Sequence, residues 1–246
     1  MDDQQMLRYC RQIMLPQVEY DGQQKLIDSH ALVVGAGGLG SPVAMYLAAA
    51  GVGRLTLVDF DTVDLSNLQR QILHTTADVG RPKVESGRDT LARINPEVEV
   101  VPIARKLEGV ALREQVGQAD VIVDASDNFA TRFLLNDTCW AAGKPLVSGA
   151  AIRLEGQVTV YDPRRDDSPC YRCLYREENE LEERCSETGV FTPVVGMIGT
   201  TQAAEALKLL LGLGEPLVGR LLLLDVRTLE WRSVKLKRDP NCTLHH

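Results

Sequence analysis

Residues 31–51, "ALVVGAGGLGSPVAMYLAAAG", decide the reading of the fold: an apolar run, a glycine-rich turn, then small residues in a helical pattern. Gly35, Gly37, Gly38 and Gly40 permit positive φ and let backbone N–H groups approach a phosphate, which the dipole of the following helix favours. The G-x-G-x-x-G match is weak taken alone, and a purely structural tight turn would satisfy it. Its context strengthens it. The next apolar run, "RLTLVDF", carries Asp59 nineteen positions beyond Gly40, where an acid accepts hydrogen bonds from ribose hydroxyls.

Working outward, "ALVVGA", "RLTLVDF", "VEVVPIA" and "DVIVDA" read as buried parallel strands, each followed by a helical segment. Such alternation predicts an α/β fold, a doubly wound, Rossmann-like and mostly parallel sheet with right-handed crossovers. Further strands are expected at "PLVSGA" and "GQVTVYD", and "GRLLLLDV" with "TLEWRSVKLKR" as a C-terminal antiparallel hairpin. An N-terminal helix is expected around "DDQQMLRYCRQIML". The chain shows no internal repeat and no linker, so residues 1–246 are expected to form one domain. Within it, "REENELEERCSETG" (176–189) places six glutamates in fourteen positions and reads as a mobile surface loop.

The 246 residues carry a formal net charge of -7, and the 27 lysines and arginines are scattered, which argues against a nucleic-acid surface. No secretory signal pattern opens the sequence. The apolar segment Pro193 to Gly212 contains Gln202, Glu205 and Lys208, which a bilayer core would penalise, so it is expected as a buried helix and not a membrane span. Six cysteines without a signal point to a reducing, cytoplasmic setting.

Two nucleotide chemistries fit the turn. Hydride transfer from a nicotinamide needs few cations at the phosphates, whereas attack at an α-phosphorus needs several, because charge builds on the phosphoryl and on departing pyrophosphate. The stretch "DFDTVDLSNLQRQILHTTADVGRPKVES" supplies Asp61, Asn67, Arg70 and Gln71 after the second strand, with Lys83 opening a helix behind Pro82. Arg70 and Lys83 could converge over a triphosphate; each taken singly is equally a solvated cation. "DASDNFATR" ends the fourth strand, and Asp127 with Asn128 stands at the same sheet edge. Asp127 could hold Mg2+ bridging a triphosphate, or cap the helix "NFATRFLLNDTCWAAG", or do both.

The ordered set "RYCRQI", "GAGGLG", "DFDTVDLSNLQRQILH", "GRPKVE", "DASDNFATR", "SGAAIRLEGQ", "CYRCL" and "CSETGV" resembles the ubiquitin-activating-type adenylyltransferases of bacterial sulfur transfer, the MoeB/ThiF/HesA type, over nearly the whole chain. The resemblance implies ATP-dependent adenylation of the Gly-Gly carboxylate of a ubiquitin-like sulfur carrier. It places Gly38 at the nucleotide and Asp59 on its ribose. Asn67, Arg70 and Lys83 then contact phosphates, and Asp127 holds magnesium or steers the attack. It also implies a homodimer in which Arg11 enters the partner's ATP site, although by itself Arg11 reads as an exposed helix cation. A sulfur-donor protein is a further implied partner. "SGAAIRLEGQ" around Arg153 looks like the molybdopterin branch. The alternatives are the same chemistry on a thiamin-pathway carrier, an NAD-dependent Rossmann oxidoreductase, and a non-catalytic carrier-binding scaffold.

Cys170 and Cys173 form C-x-x-C, and Cys242 lies in "DPNCTLHH", so three thiolates favour structural zinc. The family resembled has C-x-x-C at both places. Here His245 as fourth ligand, an incomplete site, and a tag origin for His245 and His246 all stay open. Cys185, in the glutamate-rich loop, is a candidate sulfur-relay or thioester cysteine by resemblance, and otherwise an idle exposed thiol. Cys10 and Cys139 read as small buried apolar residues.

Overall fold

The computed structural model describes residues 1–176 and 189–245, so Cys185 and nearly all of the expected mobile loop lie outside the described residues. Eight strands form one sheet in the order β3-β2-β1-β4-β5-β6-β7-β8. They are β1 His30–Val34, β2 Arg54–Val58, β3 Glu99–Ile103, β4 Val121–Asp124, β5 Leu146–Ile152, β6 Glu155–Tyr161, β7 Arg220–Asp225 and β8 Glu230–Lys235. Strands β1 to β5 are parallel, and β6, β7 and β8 continue the sheet antiparallel. The apolar runs therefore become the strands expected of them.

The helices are α1 Asp3–Ile13, α2 Glu19–Ile27, α3 Gly40–Ala50, α4 Lys83–Ile94, α5 Gly109–Gln118, α6 Phe129–Ala142, the single turn α7 Tyr171–Leu174 and α8 Thr192–Leu211. Central strands bury both faces, as parallel strands must. Ala31 and Val33 of β1 join Val121 and Val123 of β4 in a core shared with α3, α4 and α8. Leu32 and Ile122 point the other way, into a core with α5 and α6. Helix α8 is long and apolar enough to cross a membrane, yet it packs on α3, β4, β5 and β6, with Gln202 and Glu205 buried. Glu205 accepts from Lys208 Nζ at 2.6 Å and from the Leu217 N–H at 2.7 Å, which satisfies a carboxylate inside the fold.

Strand order reverses between β1 and β4, the switch point where open α/β sheets leave a crevice beyond their carboxyl ends. Gly35 ends β1 there with φ +103, and a Cβ would meet the Ala125 carbonyl at 2.5 Å. The turn from β1 and the turn from β4 can therefore touch only through glycine. Gly40 lies beneath the turn, where a Cβ would sit 1.8 Å from the Gly35 carbonyl oxygen.

Two local readings need correction. The side chain capping α6 belongs to Asn128, whose Oδ1 accepts from the Thr131 N–H at 2.9 Å, so Asp127 is not the cap and is left to the cleft. Cys10 is half-buried, whereas Cys139 is buried as expected.

Candidate functional site

Beyond the ends of β1, β2 and β4 lies a cleft of about 400 Å3. It gathers residues that the sequence offered from three separate stretches: Gly35, Gly37 and Gly38; Asp59, Asp61, Asn67, Arg70, Gln71 and Lys83; Asp127 and Asn128. Gly40 and Arg11 are not among its lining. Gly40 serves the packing of α3 under the turn, and Arg11 stands exposed on α1.

Each wall is fixed by hydrogen bonds that chain geometry dictates. Asp59 accepts from the Ala36 N–H at 2.8 Å and the Asp61 N–H at 2.9 Å, which ties the end of β2 to the glycine turn. Burial pushes its carboxyl above the usual carboxylate range, with Lys83 and the two N–H groups opposing. Lys83 is only 5% exposed and pairs with Asp61 at 2.8 Å, so its ammonium is held on the cleft side of α4. Gln71 donates to Asn67 Oδ1 at 2.7 Å while its own Oε1 is buried without a protein partner, an acceptor left for a ligand hydroxyl or amino group. Among the described residues the Arg70 side chain makes only long contacts, to the Ser66 carbonyl at 3.3 Å and Asn67 Oδ1 at 3.5 Å, which leaves it able to turn to an anion.

The segment between Gln71 and Lys83 is anchored by Asp78. Burial pushes this carboxyl up, but hydrogen bonds from the Thr75 hydroxyl and N–H and from Arg81 outweigh it and hold it at about 2. An acid whose folded-state pKa is depressed stabilises the fold above its unfolded pKa near 4, and that contribution fades as the pH falls towards 2. Asp78→Asn should therefore lower urea-unfolding stability at pH 7 by about 1–2 kcal/mol. The gap from the original protein should close between pH 4 and pH 2. A pH-independent gap would mean that packing, not charge, anchors the segment.

Some cleft residues were not anticipated. Arg105 and Lys106 line the cleft after β3, with Lys106 Nζ 4.8 Å from the Phe60 ring centroid. Arg132 donates to the Ser126 carbonyl at 3.1 Å and so shapes the turn bearing Asp127. It closes the stretch "DASDNFATR", and its place four positions after the Asn128 cap, on the cleft side of α6, was the available signal.

A second cluster lies between α7 and the chain's C-terminal segment. The side-chain ligand atoms of Cys170, Cys173, Cys242 and His245 all fall within 4.8 Å of one another. Cys170 Sγ is 3.8 Å from Cys173 Sγ and 3.5 Å from Cys242 Sγ, and Cys173 Sγ is 3.2 Å from His245 Nε2. Hydrogen bonding from Cys170, helped by the Asp239 N–H and His245, draws the Cys173 thiol down to about 4, towards the thiolate a metal requires. Of the three readings open for His245, the structure brings about the Cys3His arrangement, which could bind a metal.

The ThiF family model matches residues 9–244 of the chain. The molybdopterin-synthase adenylyltransferase of Escherichia coli K12 is 52% identical over 242 residues, covering 98% of this chain and 97% of that protein. The sulfur carrier protein ThiS adenylyltransferase of the same organism is 47% identical, covering 98% and 96%. Among solved structures, E. coli MccB with ATP superposes with a TM-score of 0.78 at 25% identity, covering 91% of this chain and 68% of that one. A family match that runs from the first helix to the Cys/His cluster, with half-identity along the whole length, makes this chain a member of the ThiF family.

Proposed function

We propose that residues 1–246 act as one catalytic unit that adenylates the C-terminal Gly-Gly carboxylate of a ubiquitin-like sulfur carrier, with the small subunit of molybdopterin synthase as the favoured carrier. The carrying observation is the convergence of Arg70, Lys83, Asp127 and the glycine turn on one cleft, in a chain half-identical to a molybdopterin-synthase adenylyltransferase. In the reaction a carrier carboxylate oxygen attacks the α-phosphorus of ATP. A bond from that oxygen to phosphorus forms, the bond from phosphorus to the bridging oxygen breaks, and pyrophosphate leaves with the electron pair.

The chain's residues divide this work. Asp59, facing the cleft at the end of β2, accepts from ribose hydroxyls, and the glycine-turn N–H groups donate to phosphate. Arg70 and Lys83 stabilise charge that grows on the phosphoryl and on pyrophosphate. Among the described residues Asp127 makes only a 3.5 Å contact, with the Asn128 amide, which leaves its oxygens for a cation. Mg2+ bound there supplies further neutralisation of the triphosphate. Helix α1 exposes Leu7 (76%) one turn before Arg11, and its C-terminal cap exposes Met14 (70%) just after it, which supports a homodimer whose partner receives Arg11.

Zinc is the proposed occupant of the Cys3His cluster. Zn–S bonds of about 2.3 Å set tetrahedral ligand atoms roughly 3.8 Å apart, the separation found between Cys170 and Cys173. Its proposed role is to pin the C-terminal segment to α7, away from the cleft.

The test is ATP–pyrophosphate exchange with candidate carriers, each with its Gly-Gly end intact or removed. Exchange that needs the intact tail is expected, fastest with the molybdopterin-synthase carrier. Faster exchange with the thiamin-pathway carrier would move the chain to that branch, as its 47% relative allows. No exchange with any carrier would overturn the reading.

A further inference from the structure

Ala36, inside the glycine turn, is held from both sides. Its N–H donates to Asp59 at 2.8 Å, and its carbonyl lies 2.9 Å from His74 Nε2. The other ring nitrogen, Nδ1, is 2.9 Å from Ser86 Oγ, one turn into α4 from Lys83. His74 and Ser86 are 5% and 1% exposed, so neither interaction is shared with solvent. A carbonyl only accepts; the proton is therefore on Nε2, and Nδ1 accepts from the Ser86 hydroxyl. Burial also lowers the pKa of this imidazole, in keeping with a neutral ring.

The peptide bonds are all trans, so the Ala36 carbonyl and the Gly37 N–H point in opposite directions. A carbonyl held inward by His74 sends the Gly37 N–H outward, towards the cleft that Gly37 lines. Among the described residues, neither the Gly37 nor the Gly38 N–H has a protein acceptor. Both are donors left for a ligand. We propose that His74 is a positioning residue for nucleotide binding: its Nε2–H fixes the Ala36–Gly37 peptide so that the Gly37 N–H faces the phosphates, and its Nδ1 locks that turn to the helix carrying Lys83. The proposal rests on the reading that this cleft takes ATP. It adds a residue that never touches the ligand.

The experiment is calorimetric titration of ATP and of adenosine into the full-length protein, well below its melting temperature. His74→Phe keeps most of the ring's bulk and removes both nitrogens, while His74→Gln restores an amide donor to the Ala36 carbonyl. ATP affinity should fall tenfold or more in His74→Phe, with adenosine affinity changed less than twofold, because adenosine has no phosphate. His74→Gln should recover most of the loss. Equal losses for both ligands, ATP affinity within twofold of the original, or no recovery with Gln would each overturn the proposal. Should His74→Phe fail to fold, 15N–1H spectra of the original protein's histidines decide. A neutral Nε2–H ring between pH 6 and 8 is expected for His74, and an Nδ1–H or charged ring overturns the proposal. Failure of carrier adenylation leaves these affinities untouched, so the two readings fail separately; an original protein that binds no ATP would sink both.

Discussion

Arg70→Ala and Asp127→Ala should each slow carrier-dependent pyrophosphate exchange by a hundredfold or more while leaving the melting temperature within a few degrees of the original. Removing one preorganised group aimed at developing charge costs roughly 3 kcal/mol of transition-state stabilisation, and both residues line the cleft proposed to hold the triphosphate. The fold, by contrast, hardly uses them. Among the described residues, Arg70 makes contacts of 3.3 and 3.5 Å, at the edge of hydrogen-bond geometry, and Asp127 a single contact of 3.5 Å. Surface-side truncations without strong partners stay within about half a kcal/mol.

This separation of chemistry from stability is what distinguishes the readings. Lys83 would be a poorer probe, because it is buried against Asp61 and its loss would leave a carboxylate unpaired beside the cleft. A loss below threefold in both Arg70→Ala and Asp127→Ala would remove the adenylyltransferase assignment of this cleft. A carrier-binding scaffold would retain cellular function with both changes. A nicotinamide enzyme would bind NAD(H) and be indifferent to ATP.

The centre of the sheet was legible because β1, β2 and β4 are apolar runs of four or five residues closed by Gly or Asp, a pattern set by burial on both faces. The glycine turn was legible for the same local reason. Helix α2, "EYDGQQKLI", was not foreseen, since it buries only Gly22, Gln23 and Leu26, and no periodicity announces a buried glutamine. Gln23 is held there by donating to the Ala50 carbonyl at 3.0 Å, a partner 27 positions away. His74 and Arg132 hide for a similar reason. Their roles come from single carbonyls, Ala36 and Ser126, that only the folded chain brings within reach. Arg70, Lys83 and Asp127 were offered by their places after the second and fourth strands, and their individual roles by family resemblance. The structure adds that three separate turns deliver them to one switch point.

The Cys/His cluster carries the second large effect. Cys173→Ala should lower the melting temperature by about 5–10 °C, with turnover at 25 °C changed less than threefold. The helical turn α7 is already clamped to α6, through the Tyr171 N–H to Asn136 at 2.7 Å and the ion pair of Arg172 with Asp137 at 2.7 Å. The segment 238–245 is tied by scattered single contacts: Asp239 N–H to Cys173 Sγ at 3.4 Å, Arg238 to the Asp166 carbonyl at 2.9 Å, and the edge contact of His245 with Trp140. A metal shared by Cys170, Cys173, Cys242 and His245 would therefore hold chiefly this segment. Its binding energy reports as folding energy only in proportion to what it orders, roughly 2–3 kcal/mol here, against the larger values of domains that fold on zinc alone. The cleft, built on β1, β2 and β4, keeps its geometry. Chelation should lower the melting point of the original protein by a similar amount and leave Cys173→Ala unmoved, with one metal per chain found only in the former. Unchanged melting of Cys173→Ala beside metal-replete original protein would show that the three thiols and His245 meet without an ion.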